Sequence, residues 1–153
     1  VTGSAEDCAR LAKARRAAFF WALFMLVLTS WPSPPEIPVV SAIPDFDKLV
    51  HASLYGVFGF LLYFSIAWKG PGPTRASWGR ALAVAVLVAA WGTLDEVHQI
   101  WIPGRSAEVA DAATDTIAGL AGALVASATA ARRVRATADA AGGPASPRPS
   151  PRP

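Results

Sequence analysis

Four apolar runs, at residues 17–31, 49–68, 81–94 and 107–131, take up most of the chain, and nearly all of its charge is confined to the stretches between them and to their ends. A helix rises ~1.5 Å per residue and needs ~17–25 residues to cross the hydrocarbon of a bilayer. The first run is short, and the third reaches that length only by extending through its polar end to Gln99. The first three show no polar stripe along most of their length, unlike a surface helix of a soluble bundle. With 53% hydrophobic and only 16% charged residues among 153, the chain falls well below the roughly 25% charge of an ordinary soluble domain. The pattern predicts an all-α fold, an integral membrane four-helix bundle.

Charge placement orients that bundle. Twelve of the 14 basic residues lie in the stretches 10–16, 69–80 and 132–152, against Lys48 and Arg105 at the other ends. By the positive-inside rule both termini are cytoplasmic and the polar clusters form a site at the outer face. Trp31 and Trp101 fall at outer boundaries and Trp68 and Trp78 at inner ones, where amphipathic rings prefer to sit. The organisation expected is a basic cytoplasmic arm over 1–16, a membrane domain over 17–131, and a disordered tail over 132–153. The tail is rich in Arg, Ala, Gly, Pro and Ser and cannot bury enough apolar surface to fold. A basic arm before a short apolar run also describes a secretory signal, and Val40-Ser41-Ala42 offers small residues for cleavage. That triplet lies well past the run, beyond Pro32, Pro34, Pro35 and Pro38, so a retained anchor is the reading. The single cysteine, Cys8, supports neither a disulfide framework nor a thiolate metal site. Basic loops beside apolar runs report orientation, and no recognition motif accompanies them, so nucleic acid is not an expected partner.

Two polar clusters stand out, because an ionisable group near hydrocarbon is costly unless it pairs or faces water. In the second run, with Asp45 as a candidate N-cap, Asp47, His51 and Tyr55 recur at four-residue spacing and share one helical face, with Lys48 three residues from His51. Asp47 also suits a helix start and Lys48 could snorkel to headgroups. His51 and Tyr55 lie deeper and are less easily explained so. At the end of the third run Asp95, Glu96 and Gln99 sit where the helix dipole is negative, which is unfavourable by ~0.3–1 kcal/mol for each acid. Lys48, Arg105 or protonated His51 could compensate, and His98 reads as an interfacial side chain. Pro103-Gly104-Arg105-Ser106 then turns the chain, with Ser106 a candidate cap for the fourth helix. The Arg105 guanidinium suits a carboxylate or phosphate, or a lipid headgroup. Glu108 and Asp111 fit the positive start of that helix. Asp115, nine residues beyond Ser106 and so ~13 Å along, should be either protonated or paired. Below it Ala118, Gly122 and Ala126 form a small-residue stripe suited to close internal packing.

Taken together, Asp47-Lys48-x-x-His51-x-x-x-Tyr55, Asp95-Glu96-x-x-Gln99-x-x-x-Pro103-Gly104-Arg105 and Asp111-x-x-x-Asp115 with Gly122 resemble the VanZ-like family of bacterial membrane proteins, over about 14–131. The resemblance implies a four-helix protein of the bacterial inner membrane with an outward-facing polar site. The family's founding member is associated with low-level teicoplanin resistance, and no family-wide activity comes with the resemblance. This chain has Asp115 where the family often has Asn, and Ala118 where Gly is usual.

The function expected is an envelope protein whose outer-leaflet site binds a polar or anionic group of a lipid-linked or cell-wall component, with an effect on glycopeptide susceptibility. Membrane lipids and a lipid-linked cell-wall precursor or a glycopeptide are the candidate partners. The candidate ligand-binding residues are Asp47, Lys48, His51, Tyr55, Glu96, Gln99, Arg105, Asp111 and Asp115. The alternative is a transferase or hydrolase acting on an envelope lipid, with His51 or Glu96 as catalytic base. No nucleophile-elbow serine is present. One well-placed histidine argues against zinc, so neither metal nor cofactor is expected. Transport by a monomer is disfavoured, because only scattered hydroxyls such as Tyr63, Ser65 and Ser127 lie deeper than the outer third.

Overall fold

The computed structural model describes residues 5–32, 46–66 and 78–141, which form four helices: α1 (Ala5–Thr29), α2 (Phe46–Ser65), α3 (Trp78–Gln99) and α4 (Val109–Ala141). No strand occurs among the described residues. Three helices, α2, α3 and α4, are long and apolar enough to cross a membrane. In α1 only the second half is apolar, because the helix takes in the basic arm from Ala5 onward. The arm thus continues the first span without a break. The proline-rich connection, the Asp45 cap, Val40-Ser41-Ala42 and Trp68 lie outside the described residues.

Hydrogen bonds between helices set an up-down-up-down order. Arg15 of α1 reaches Ser65 at the end of α2, while Trp21 Nε1 donates to the Leu54 carbonyl, so these two helices run antiparallel. Helices α2 and α4 run parallel, with the Tyr55 and Tyr63 levels of one against the Gly92-facing and Ser127 levels of the other; Tyr63 donates to Ser127 Oγ at 3.1 Å. Arg80 Nη2 donates to the Ile66 carbonyl at 2.7 Å, and its guanidinium lies 4.3 Å from the Tyr63 ring centroid. Arg15 and Arg80 therefore both meet the negative C-terminal end of α2, where cations are favoured. The basic ends and the acidic clusters occupy opposite ends of the bundle.

The tightest approach is between α2 and α4. A Cβ placed on Gly59 would overlap the Gly119 backbone, and one on Gly122 would overlap the Gly56 carbonyl. Close backbone contact of this kind replaces the hydrophobic drive that helix association lacks in lipid. The small-residue stripe is thus an internal seam, with Gly56, Gly59 and Gly119 as members that the Ala118/Gly122/Ala126 spacing alone did not include. Phe19, Phe20, Leu82, Val86, Ile117 and Val125 are exposed on the outside of the bundle, while Asp95, Glu96, Asp111 and Asp115 are buried within it. Apolar side chains cover the outside while the acids are buried beside a core of Met25, Phe58, Val84 and Val88, a distribution of charge opposite to that of a soluble protein.

Two expectations are corrected. Helix α4 does not end near Ala131 but runs to Ala141, so the expected disordered tail begins with ten helical residues. Its Ala and Arg content gives that stretch good helix propensity, which the composition argument underweighted. The remainder, including the Ser-Pro-Arg-Pro repeat, lies outside the described residues. Ser106 is not the cap of α4: Ala112 N–H donates to the Glu108 carbonyl, and the helix opens at Val109. Asp115 consequently sits about 9 Å into the helix rather than ~13 Å.

Candidate functional site

The turn before α4 brings the two clusters together. Arg105 N–H donates to the Ile102 carbonyl, closing a turn with Pro103 at its second position and Gly104 at its third, where φ is 79°. This is a type II turn, which requires a residue that tolerates positive φ at the third position. It returns the start of α4 beside the end of α3.

Around Asp95 three helices contribute donors. Thr29 Oγ1 donates to Oδ1 at 2.7 Å, and Tyr55 Oη donates to Oδ2 at 3.1 Å; Gln99 Nε2 lies 3.3 Å from Oδ2. Glu96 Oε2 accepts from the Glu108 backbone N–H at 2.8 Å, so the carboxylate at the unfavourable end of α3 is held by the favourable end of α4. The compensation expected from Lys48 or Arg105 thus comes instead from hydroxyls, an amide side chain and a helix start. His51, stacked on Tyr55 with centroids 6.1 Å apart and rings within 8° of parallel, places Nδ1 3.0 Å from Asp115 Oδ1. For a carboxylate acceptor this pairing puts the ring proton on Nδ1. Asp115 is fully buried and is paired as the sequence required. Gly92 makes room for it, since a Cβ there would lie 3.1 Å from Oδ2. That Oδ2 has no hydrogen-bond partner among the described residues.

Lys48 sits at the rim, its Nζ 3.2 Å from Asp47, 3.3 Å from Asp111 and 3.5 Å from Glu108. Asp47 is exposed, Asp111 buried. Arg105 stands apart from every carboxylate of the cluster: Nη2 donates to the Leu28 carbonyl at 3.1 Å, and its buried Nε has no hydrogen-bond partner among the described residues. With Asp47 and His51 it borders a cavity of about 300 Å³ whose other walls are Leu28, Thr29, Phe46, Val50 and Leu54. A second cavity of about 270 Å³ lies between α3 and α4, with Glu96 and Glu108 on its wall.

Of the residues singled out in the sequence, His51, Tyr55, Glu96, Gln99, Asp111 and Asp115 come together and are buried, Lys48 and Asp47 mark the rim, and Arg105 faces the cavity rather than the carboxylates. Thr29 was missed. Its only signal is a hydroxyl in the last turn of an otherwise apolar run. Asp95 stood in the motif without a role and is the most heavily hydrogen-bonded carboxylate of the site. His98 pairs with Ser30 Oγ at 3.0 Å, at the end of α1, away from His51.

The VanZ/LLP1 family model matches residues 10–130. No curated protein and no solved structure matches the chain.

Proposed function

The chain belongs to the VanZ/LLP1 family, and from that premise we propose that this membrane protein uses the cavity bordered by Arg105 and His51 to bind the anionic head of a lipid-linked envelope component. The observation that carries this reading is the Arg105 guanidinium, half-buried, uncommitted to any carboxylate and with a free Nε donor, in a cavity otherwise walled mainly by Leu28, Phe46, Val50 and Leu54. A guanidinium suits a phosphate or carboxylate, and apolar walls suit the chain attached to it. Positive-inside bias supports a cytoplasmic location for the basic ends and both termini in a bacterial inner membrane, which turns the cavity to the outer leaflet. The 13 or so apolar residues of α1 span ~20 Å, and Lys13, Arg15 and Arg16 snorkel to complete a fourth crossing. Binding a cell-wall precursor there would change susceptibility to glycopeptides such as teicoplanin.

The test is binding of purified protein to a panel of envelope phospholipids and lipid-linked cell-wall precursors. Selective binding that weakens about tenfold or more in Arg105→Ala supports the reading, since a charge-assisted bond contributes ~1.5–3 kcal/mol. Selective binding unchanged by that substitution, or none at all, overturns it.

A second reading, an envelope-lipid transferase or hydrolase, is favoured by one feature. The His51–Asp115 pair holds the imidazole in a defined tautomer with Nε2 available as a base. Turnover of a bound lipid, lost in His51→Gln with binding retained, separates this from simple binding.

A further inference from the structure

We propose that His51, Glu96 and Asp115 form a site for one divalent first-row cation, of the kind represented by Mn²⁺ or Zn²⁺. The sequence shows one histidine among scattered acids and gives no metal-ligand spacing. The fold supplies what spacing does not, because the three residues come from α2, α3 and α4, and one ligand-type atom from each lies within 4.8 Å of the other two. All three residues are buried, Asp115 completely.

Two independent observations point to a cation. The first is the Asp115 Oδ2 atom. Asp115 is fully buried, its Oδ1 is taken by His51, and Oδ2, turned toward α3 one turn from Glu96, has no hydrogen-bond partner among the described residues. A buried carboxylate oxygen with no donor is costly, and a bound ion removes that cost.

The second is the balance of charge. Asp95, Glu96, Asp111 and Asp115 are all buried, and Lys48 pairs with Asp111 at the rim. Even with His51 protonated, one imidazolium faces the other three carboxylates, while Arg105 reaches a backbone carbonyl instead. In a bundle whose outside is apolar, such an excess needs protons or a cation.

The geometry fits coordination. The 3.0 Å between His51 Nδ1 and Asp115 Oδ1 is the separation of adjacent ligands at right angles around a metal with bonds of ~2.1 Å. Binding would replace the Nδ1 proton by the metal and release that proton, leaving as ligands a neutral imidazole, the Glu96 carboxylate and the Asp115 carboxylate, the last through both oxygens so that the ion also satisfies Oδ2. The three atoms, within 4.8 Å of one another, lie close to the span of a coordination sphere, where opposite ligands at ~2.1 Å are ~4.2 Å apart. A mixed nitrogen and oxygen set suits Mn²⁺ or Zn²⁺ better than Ca²⁺, which takes more oxygen ligands. Because His51 borders one cavity and Glu96 the other, the remaining coordination positions lie where a small ligand or water could reach them. The inference stands whatever occupies the Arg105 cavity.

The experiment uses the full chain in detergent or nanodiscs, with Cys8→Ser to remove the one thiol and any affinity-tag histidines cleaved. Protein stripped with chelator is titrated with Mn²⁺, following loss of the free-ion resonance, and with Zn²⁺ by calorimetry; no lipid ligand is added. The expected result is about one equivalent per chain, with affinity lowered at least about tenfold by Asp115→Asn and by Glu96→Gln, and unchanged by His98→Gln. Glu96→Gln keeps an acceptor for the Glu108 amide, so it reports on the metal should Asp115→Asn fail to fold. Failure of the wild-type chain to bind either ion, or binding that survives Glu96→Gln undiminished, overturns the proposal.

Discussion

Asp95 should behave as a carboxylate whose cost is carried by donors from three helices, and a double-mutant cycle measures this. Thr29 Oγ1 and Tyr55 Oη address different oxygens, at 2.7 and 3.1 Å, and Gln99 adds a longer contact at 3.3 Å. A hydrogen bond to a charged group contributes ~1.5–3 kcal/mol in soluble proteins, while interhelical bonds in membranes average ~0.6 and reach ~1.7. Thr29→Val and Tyr55→Phe, each nearly isosteric, should therefore destabilise the bundle by about 1–1.5 kcal/mol apiece. The double variant leaves Asp95 on Gln99 alone, so its loss should exceed the sum by about 0.5 kcal/mol or more. Adding Asp95→Leu to the double variant should recover most of the loss, because removing both partners of a buried bond is close to neutral. Equilibrium unfolding in mixed micelles gives all the free energies. Two single losses under about 0.3 kcal/mol, or a triple variant no more stable than the double, would refute the reasoning.

Gly122→Val should force α2 and α4 apart at Gly56, costing about 1–3 kcal/mol, whereas Gly104→Ala should act on the turn through its positive φ at about 1 kcal/mol; thermal unfolding in detergent distinguishes these from neutral changes. Glu96→Ala should release the Glu108 amide and raise hydrogen exchange over 108–112, while Glu96→Gln should raise it far less, since the loss of a capping acceptor costs about 0.5–2 kcal/mol; equal exchange in both variants contradicts the capping role. Cys8, exposed and the only thiol, should react with a membrane-impermeant maleimide only after cells are permeabilised; labelling of intact cells would reverse the proposed orientation.

The helices and their polar ends were legible because apolar runs and charge clusters are local properties of the chain. The extension of α3 through Asp95 to Gln99, and the one-sided face of His51 and Tyr55, follow from spacing alone. What spacing does not give is which face meets which. Arg105 was placed among the carboxylates on charge alone, yet the type II turn directs it to the Leu28 carbonyl, and the start of α4 takes its place at Glu96. Ser106 was a reasonable cap by residue type, but the cap position went to Glu108, whose amide already had a carboxylate waiting. Thr29 escaped notice because one hydroxyl in an apolar run is usually bonded to its own helix; Oγ1 does lie 3.1 Å from the Met25 carbonyl, but its shortest contact, at 2.7 Å, is to a residue 66 positions away.

The bond from the Glu108 amide to Glu96 has a consequence for how the chain is made. When α3 leaves the ribosome, Thr29 and Tyr55 have already been synthesised, so Asp95 can find its hydroxyl donors at once. Glu96 cannot complete its own bonding, because the Glu108 amide that holds Oε2, like the His51 partner Asp115, belongs to the chain still to come. The three-helix intermediate thus holds Glu96 only through the long contact from Gln99 Nε2 to Oε1 at 3.4 Å, and arrival of the last segment supplies the shorter bond to Oε2. Biosynthesis arrested at the end of α3, before Glu108 is made, should leave a species in which Glu96 Oε2 is still open to solvent or to a proton, and the segment that opens α4 acts as the latch that ends that state.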